Sequence, residues 1–528
     1  MLAPQLFAEV RLPAIFADHM VLQAGHAVPV WGWADPGEEV SVSIAGQTKT
    51  TKADSHGKWM VQLDKLKSGD AVTLTVKGKN TIIITDVLVG EVWLGSGQSN
   101  MAMTVNRAKN YEQEQAAATF PKIRMFRESS GPATSPQDKC SGSWQVCSPE
   151  TVGGFSATAY FFGREIHKAL GVPVGLINSS VGGTPVEAWM SWEAQKGLAG
   201  LKPLFDSWEQ RQATWDPQKA KAAYEKQLAA WKKAKAEKKT VGRAPRAPVE
   251  PRLDSHHPAV LFNGKIAPLI PYAIRGAIWY QGESNANSGT GHLYGLLLST
   301  LIKDWRARWG QGDFPFGWVQ LPNFHAPQKA PVEDTGWVMV REGMLKTLAL
   351  PNTGMAVTVD IGEANDIHPK NKQDVGKRLA MWALAEVYKQ KNIVPSGPLY
   401  ESHSVQGSEV IVRFKHAEDG LVVKIGDGLV TPRDEWPNVW PPGGGGFGQV
   451  RGFAIAGADK QWHYAAAKII GNTVVVTSPE VKQPVAVRYG WADNPDCNLY
   501  NRAGLPASPF RTDNWPVDLS TAAQRTRR

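Results

Sequence analysis

The stretch DVLVGEVWLGSGQSNM, residues 86–101, decides the fold. Val87, Leu88, Val89, Val92, Trp93 and Leu94 follow one another with little polar interruption, the pattern of a strand buried on both faces. Gly95 and Gly97 then break the strand, and Ser99 follows where the chain turns toward a helical segment. A buried strand that runs through a Gly-rich turn into a helix is the first half of a β-α-β unit.

Toward the C-terminus the same alternation continues. Helical patterns cover Tyr111–Ala118, Ser156–Leu170, Leu293–Arg308, Val338–Leu348 and Lys372–Lys389. Strand patterns fall between them at Ile123–Phe126, Val174–Asn178, Ile274–Tyr280, Phe316–Gln320 and Met355–Asp360. Such alternation implies parallel strands joined by right-handed crossovers, with an active site at the strands' carboxyl ends. The expected fold class is therefore α/β, a doubly wound parallel-sheet domain over residues 89–395. Residues 206–250 interrupt it. DPQKAKAAYEKQLAAWKKAKAEKK is helical by propensity, with Tyr224, Leu228 and Trp231 on one face, and VGRAPRAPVEPR ends it with three prolines. This reads as a helical insertion with an extended return, either a lid or surface decoration.

Both flanks read as strands. Residues 8–88 contain AVPVWGWADPGEEVSVSIAGQ and AVTLTVKGKNTIIITDV, which alternate between turns at Pro36-Gly37, Gly46 and Gly78-Lys79-Asn80. Residues 396–528 contain SEVIVRF, LVVKIG, KIIGNTVVVTS and PVAVRYGW, with a loop expected at Gly443–Gly446. The flanks are expected to be β-sandwich (jelly-roll-like) elements.

Composition limits the function. The net charge is +9 over 528 residues, but much of the excess lies between Lys219 and Arg246, a solvated helix and its tail and not a nucleic-acid-binding patch. No apolar run reaches the ~18 residues that cross a bilayer. Met1 to Arg11 lack the tripartite signal-peptide pattern, which leaves open a cytoplasmic protein and one whose leader has been removed. Three cysteines exclude a disulfide framework; Cys140 and Cys147 either pair or stand as free buried thiols. No Cys/His cluster has zinc spacing. Tryptophan is abundant, with 21 residues; most should pack the core, and a few exposed ones would suit a saccharide cleft.

Four segments carry the chemistry, each at the end of an expected strand. In GSGQSNM, Ser99 gains nearby backbone N–H donors and the helix dipole, although a serine in a turn is commonly a helix cap. Met101 stands where the α/β-hydrolase elbow has its second glycine, so this is a different nucleophile turn. NSSVGGTPVEAW offers the Gly182 and Gly183 N–H groups, and WYQGESNA offers the Gln281 amide, as donors to an oxyanion. DIGEANDIHPKNKQDVGKRLA supplies Asp366 and His368, with Pro369 suited to the first helical position. Asp366 either orients His368 or caps the last helix. Glu283 reads either as a buried, paired carboxylate that shapes the turn or as a substrate contact, Arg341-Glu342 as a surface pair and His256-His257 as a loop feature.

GQSNM, GGTPVEAW, WYQGESNA and DIHPKNKQDVGKRLA resemble the signature blocks of the sialate O-acetylesterase-like carbohydrate esterases, within the SGNH hydrolase superfamily. IFADHMVLQ, VPVWGWADPGE and YGWADNPDCNLYNRAGLPASPFRTDNW resemble that family's flanking regions, so the likeness covers nearly the whole chain. The resemblance implies an SGNH-hydrolase-like fold, Ser99 as nucleophile and His368 as base. It also implies an oxyanion hole from Gly182, Gly183 and Gln281, the last where many relatives carry Asn. The common ending is Asp-x-x-His, whereas here Asn365 lies three residues before His368 and Asp366 two before, which leaves the third triad member open. The implied partner is an acetylated carbohydrate, a sialic acid or a plant polysaccharide such as xylan or xyloglucan. No metal or cofactor is implied, and the implied compartment is periplasmic or extracellular. The rival readings are a lipase or arylesterase on the same fold, and a carbohydrate-binding protein with a decayed triad.

Overall fold

The computed structural model describes residues 9–431 and 450–517. The loop expected at Gly443–Gly446 lies outside them. The centre of the molecule is a sheet of parallel strands: β1 (Thr81–Gly97), β2 (Phe120–Glu128), β3 (Val174–Ser180), β4 (Gly276–Tyr280), β5 (Phe316–Val319) and β6 (Thr353–Ala356). Their order is β6-β5-β4-β1-β3-β2, closed at the β2 edge by the antiparallel strand Gly142–Cys147. From β1 the chain first builds the β3-β2 side and then returns for β4, β5 and β6. The direction reverses between β1 and β4, where open α/β sheets form their ligand crevice.

Side-chain alternation explains why helices cover both faces. Val92, Leu94, Ala277 and Trp279 bury into one apolar cluster, while Trp93, Ile278 and Tyr280 bury into another. Helices α1 (Ala157–Leu170) and α6 (Lys372–Trp382) pack together on the Trp93 face. Helices α4 (Tyr294–Trp309) and α5 (Gly336–Thr347) cover the other. Trp93 lies 4.9 Å from the Phe162 ring, and its indole N–H donates to the Tyr388 hydroxyl at 2.9 Å. Burying an aromatic of this size contributes about 2–3 kcal/mol, so the tryptophan content is largely core. Ser156 caps α1 by accepting the Ala159 N–H, and Gly171 ends it at φ +69°.

Strand β1 spans 17 residues and serves two layers. Its first half pairs antiparallel with Val72–Lys77, and its second half forms the parallel centre. The boundary expected at residue 88 therefore falls inside one continuous strand. Strands Glu39–Ile44 and Gln47–Lys52 extend this sheet, and Val28–Trp33 pairs with Lys58–Leu63 beside it. Their inward residues, among them Val30, Val42, Val61 and Val76, share the core of the α4–α5 face. Among its described residues, the C-terminal region forms three antiparallel sheets around a cluster containing Val412, Val474, Val487 and Phe510.

The insertion is helical, as Lys202–Ala213 and Pro217–Ala236. Asp216 caps the second helix by accepting from Gln218 and Lys219 at 3.0 Å. Tyr224, Leu228 and Trp231 are its half-buried face, and the Trp231 indole donates to the Gly242 carbonyl at 2.8 Å, holding the return against the helix.

Three sequence expectations are corrected. Helix α6 starts at Lys372, not Pro369, and its cap is Asn371, which accepts from Asp374 N–H at 3.2 Å. Asp366 is thus not the cap. The helix ends at Trp382 and widens into a π-turn over Ala383–Val387 instead of continuing to Lys389. Arg341 and Glu342 are not a surface pair. Arg341 is buried and donates to the carbonyls of Leu321, Pro322, Ala492 and Asp493, while Glu342 accepts from Arg511. They join α5 to the C-terminal sheets. Cys140 and Cys147 are free buried thiols, which burial pushes up to about 11 and about 12.

Candidate active site

The turn after β1 is fixed by close backbone approach. Gly97 adopts φ +131°, and a Cβ there would sit 2.2 Å from the Tyr280 carbonyl oxygen, so only glycine fits. Gln98 N–H donates to that carbonyl at 2.9 Å. Ser99 then begins the short helix Ser99–Ala102 and is half-buried between buried Gln98 and Asn100. Ser96, the other serine of the turn, is completely buried.

Gly182 follows β3, the neighbour of β1. A Cβ on Gly182 would lie 3.4 Å from Ser99 Cβ, and both Gly182 and Gly183 are exposed. Val181 N–H donates to the Gly97 carbonyl at 3.1 Å, and the Thr184 hydroxyl donates to the Val181 carbonyl at 2.8 Å. These bonds lock the two turns together.

Gln281 follows β4 but is not directed into the cleft. It is completely buried. Its Nε2 donates to Gln98 Oε1 at 3.2 Å, the Thr184 carbonyl at 3.2 Å and Asn285 Oδ1 at 2.7 Å, and its Oε1 accepts from the Tyr294 hydroxyl at 2.7 Å. The expected oxyanion-donor role is corrected for that reason: its N–H groups are committed to protein acceptors. Gln98 Oε1 in turn accepts from Ser284 N–H at 3.2 Å. Gln281 braces the turns of β1, β3 and β4 from beneath.

His368 arrives on the segment after β6. The Asn100 side chain donates to the Ile367 carbonyl at 2.9 Å, which ties this segment to the residue after Ser99. His368 Nδ1 stands 3.7 Å from Asp366 Oδ1, beyond hydrogen-bond length, and that oxygen instead accepts the His368 backbone N–H at 2.9 Å. Burial lowers the imidazole pKa; Asp366 opposes this, and the charges of Lys372, Arg107 and Arg243 add to it. Arg243 belongs to the return of the insertion, so that segment reaches the site.

Beneath Ser99 lies a buried polar cluster of which the sequence reading named only Glu283. Asn100 donates to Glu283 Oε1 at 2.5 Å and accepts from Lys372 Nζ at 2.8 Å. Lys372 is fully buried, also donates to the Pro369 carbonyl, and is pulled down to about 7 by burial. Burial raises the Glu283 carboxyl. The signal was the presence of Asn100 and Lys372 inside the motifs themselves, polar residues beside apolar strands. A second missed group is His256. Asp254 Oδ1 accepts from its Nδ1 at 2.9 Å, and that carboxylate, with the Gly183 backbone nearby, raises the imidazole pKa. Among the described residues, no group of three or more His, Cys, Asp or Glu is placed to hold a metal ion, and no helix is long and apolar enough to cross a membrane.

The site's segments fall within a known family. A profile described as carbohydrate esterase, sialic acid-specific acetylesterase, matches residues 89–240 and 263–385. The chain is thus a carbohydrate esterase, a carboxylic ester hydrolase. It belongs to the sialic acid-specific acetylesterase family. A sialate O-acetylesterase from Pongo abelii is 32% identical across 97% of this chain and 95% of its own. The protein of that name from Homo sapiens is 30% identical over the same shares. A solved carbohydrate acetylesterase from Xanthomonas citri shares the fold with TM-score 0.77 and 36% identity, covering 96% of this chain and 100% of that one.

Proposed function

We propose that the protein removes O-acetyl groups from acetylated sugars through an acetyl-Ser99 intermediate. The observation that supports it most is the placement of Ser99 at the end of the central strand, beside the exposed Gly182, where an added Cβ would lie 3.4 Å from Ser99 Cβ. His368, kept neutral by its lowered pKa, takes the Ser99 proton as the oxygen attacks the acetyl carbonyl. The N–H groups of Ser99, Gly182 and Gly183 hold the oxyanion. His368 then protonates the departing sugar oxygen. Next it deprotonates a water that attacks the acetyl carbon, and collapse of this second intermediate releases acetate and returns the proton to Ser99. Asp366 steadies the imidazole electrostatically, and Gln281 is a positioning residue.

The arrangement supports reading residues 89–395 as an SGNH-hydrolase-like unit, with residues 8–88 and 396–528 as jelly-roll-like flanks and residues 206–250 as an insertion. Family membership alone supports a periplasmic or extracellular compartment. Acetate release from O-acetylated sialosides, xylan and xyloglucan fragments tests the activity, and release from none of them refutes it. Nitrophenyl acetate should be cleaved far faster than the octanoate, and the reverse order would favour a lipase.

A further inference from the structure

A second cavity, of about 320 Å³, lies beside the glycine turn of the site, at the small end of the roughly 300–1,000 Å³ typical of small-ligand pockets. One wall is Trp192, which follows the Gly182–Trp189 segment and is 41% exposed. Its ring packs against Phe205 at 5.0 Å between centroids. The opposite wall comes from Trp208 on the first helix of the insertion, packed against His257 at 5.2 Å. His257 adjoins His256, and Ala259 N–H donates to the Glu187 carbonyl, on the segment that follows Gly183, at 2.9 Å. The cavity and the Ser99 cleft therefore share one loop.

The polar groups of this cavity narrow its ligand. Gln212 spends its amide N–H on Glu250 at 3.4 Å, and its Oε1 is buried with no donor among the described residues. That oxygen is closed off from the cavity, so Glu209, in the cavity wall, offers the acceptor oxygens. The nearby cations are already paired: Arg252 with Glu250 at 2.8 Å, and Arg211 with Asp254 at 3.6 Å while stacked on Trp208. The exposed Trp192 face beside carboxylate acceptors, with no uncommitted cation among the described lining residues, matches a neutral pyranose, which has an apolar C–H face and a rim of hydroxyls. A fatty acyl chain would offer no donor to the Glu209 carboxylate.

We propose that this cavity is a glycan subsite, holding a neutral pyranose ring adjacent to the sugar whose acetyl group is removed, so that the enzyme acts on oligomeric or polymeric substrates. This rests on the acetylesterase reading above, and its test is separable because binding is read without hydrolysis. Full-length Ser99→Ala protein is titrated calorimetrically with xylose, xylotetraose and cellotetraose. At least one tetraose should bind about tenfold or more tighter than the monosaccharide, a difference of ~1.4 kcal/mol. Adding Trp192→Ala should weaken tetraose binding about tenfold, Trp192→Phe should restore most of it, and Glu209→Leu should cost about fivefold. In the active enzyme, Trp192→Ala should raise KM for acetylated xylotetraose more than it lowers kcat. Failure of both tetraoses to outbind xylose, or tetraose affinity unchanged by Trp192→Ala, overturns the subsite. Selective loss of nitrophenyl octanoate cleavage in Trp192→Ala would make it an acyl pocket instead. Tetraose binding without acetate release by wild type would refute the activity and leave the subsite standing.

Discussion

The chain contains two Asp-x-His segments at its site, Asp254-Ser255-His256 and Asp366-Ile367-His368, and they are built alike but used differently. In each, the carboxylate Oδ1 accepts the histidine's own backbone N–H at 2.9 Å. In the first, the same oxygen also meets Nδ1 at 2.9 Å; in the second, Nδ1 stands off at 3.7 Å. The consequences are opposite. The hydrogen bond to Asp254 raises the His256 pKa, and Asp254 falls to about 2. Burial lowers the His368 pKa because Asp366 is too distant to offset it and Lys372, Arg107 and Arg243 add positive charge. The raised pKa of His256 favours the charged form paired with Asp254, whereas the lowered pKa of His368 favours the neutral form that can accept a proton. Sequence spacing is the same in both, and ring distance decides the role.

The sharpest way to break the comparison is to remove each ring. His368→Ala and Ser99→Ala should each lower kcat/KM on nitrophenyl acetate by roughly four orders of magnitude or more. A fluorophosphonate probe should label wild type at Ser99 and leave buried Ser96 untouched, as read by peptide mass spectrometry. Labelling of Ser96, or a loss in His256→Ala as large as that in His368→Ala, would reverse the assignment.

Asp366→Asn is the intermediate case. The amide oxygen can still accept the His368 backbone N–H, so the turn should persist and thermal stability should change little. Turnover should fall by about 10²–10⁴ if Asp366 steadies the imidazole. Because Asp366 raises the His368 pKa, its loss should move the acid limb of the kcat/KM profile to lower pH. In wild type that limb should already lie below the ordinary histidine value of 6.5. A variant within about threefold of wild type, where tenfold is ~1.4 kcal/mol, would reject the role.

The smallest effect belongs to the other pair. His256→Ala removes no reacting group but takes away the Asp254-bound ring near the Gly183 turn, so kcat should drop about tenfold, less than the ~10²–10³ of losing an oxyanion donor outright. Asp254→Asn should reproduce part of that loss. Unchanged kcat in both variants would show that the glycine turn holds itself.

The strand-helix alternation made the central sheet legible, because burial on both faces leaves continuous apolar runs that Gly95 and Gly97 punctuate. Ser99 and His368 were legible for the same reason: each lies just past such a run. Direction within a turn was not. Nothing in WYQGESNA tells that Gln281 points into protein, since this depends on Gln98, Asn285 and Tyr294 converging from separate elements. Arg341 and Glu342 were misread because charged residues on a helix face solvent by default, and the C-terminal sheets that cover them lie about 150 residues onward, as in the bond from Arg341 to Ala492. The cap of α6 was misplaced because Pro369 is an attractive helix starter, while Asn371 meets the need at the correct position.

Ser99 sits at the tip of β1, whose 17 residues form a beam roughly 50 Å long at about 3.3 Å per residue. One end is anchored in the flanking antiparallel layer and the other carries Ser99. The beam transmits the rigidity of the first layer into the reaction centre. Cutting at residue 88 would not release a finished catalytic module: it would shear the beam at mid-span and leave Ser99 on a cantilever. The N-terminal residues thus serve catalysis from a distance as foundation, and the two layers should yield together under denaturant as one cooperative unit.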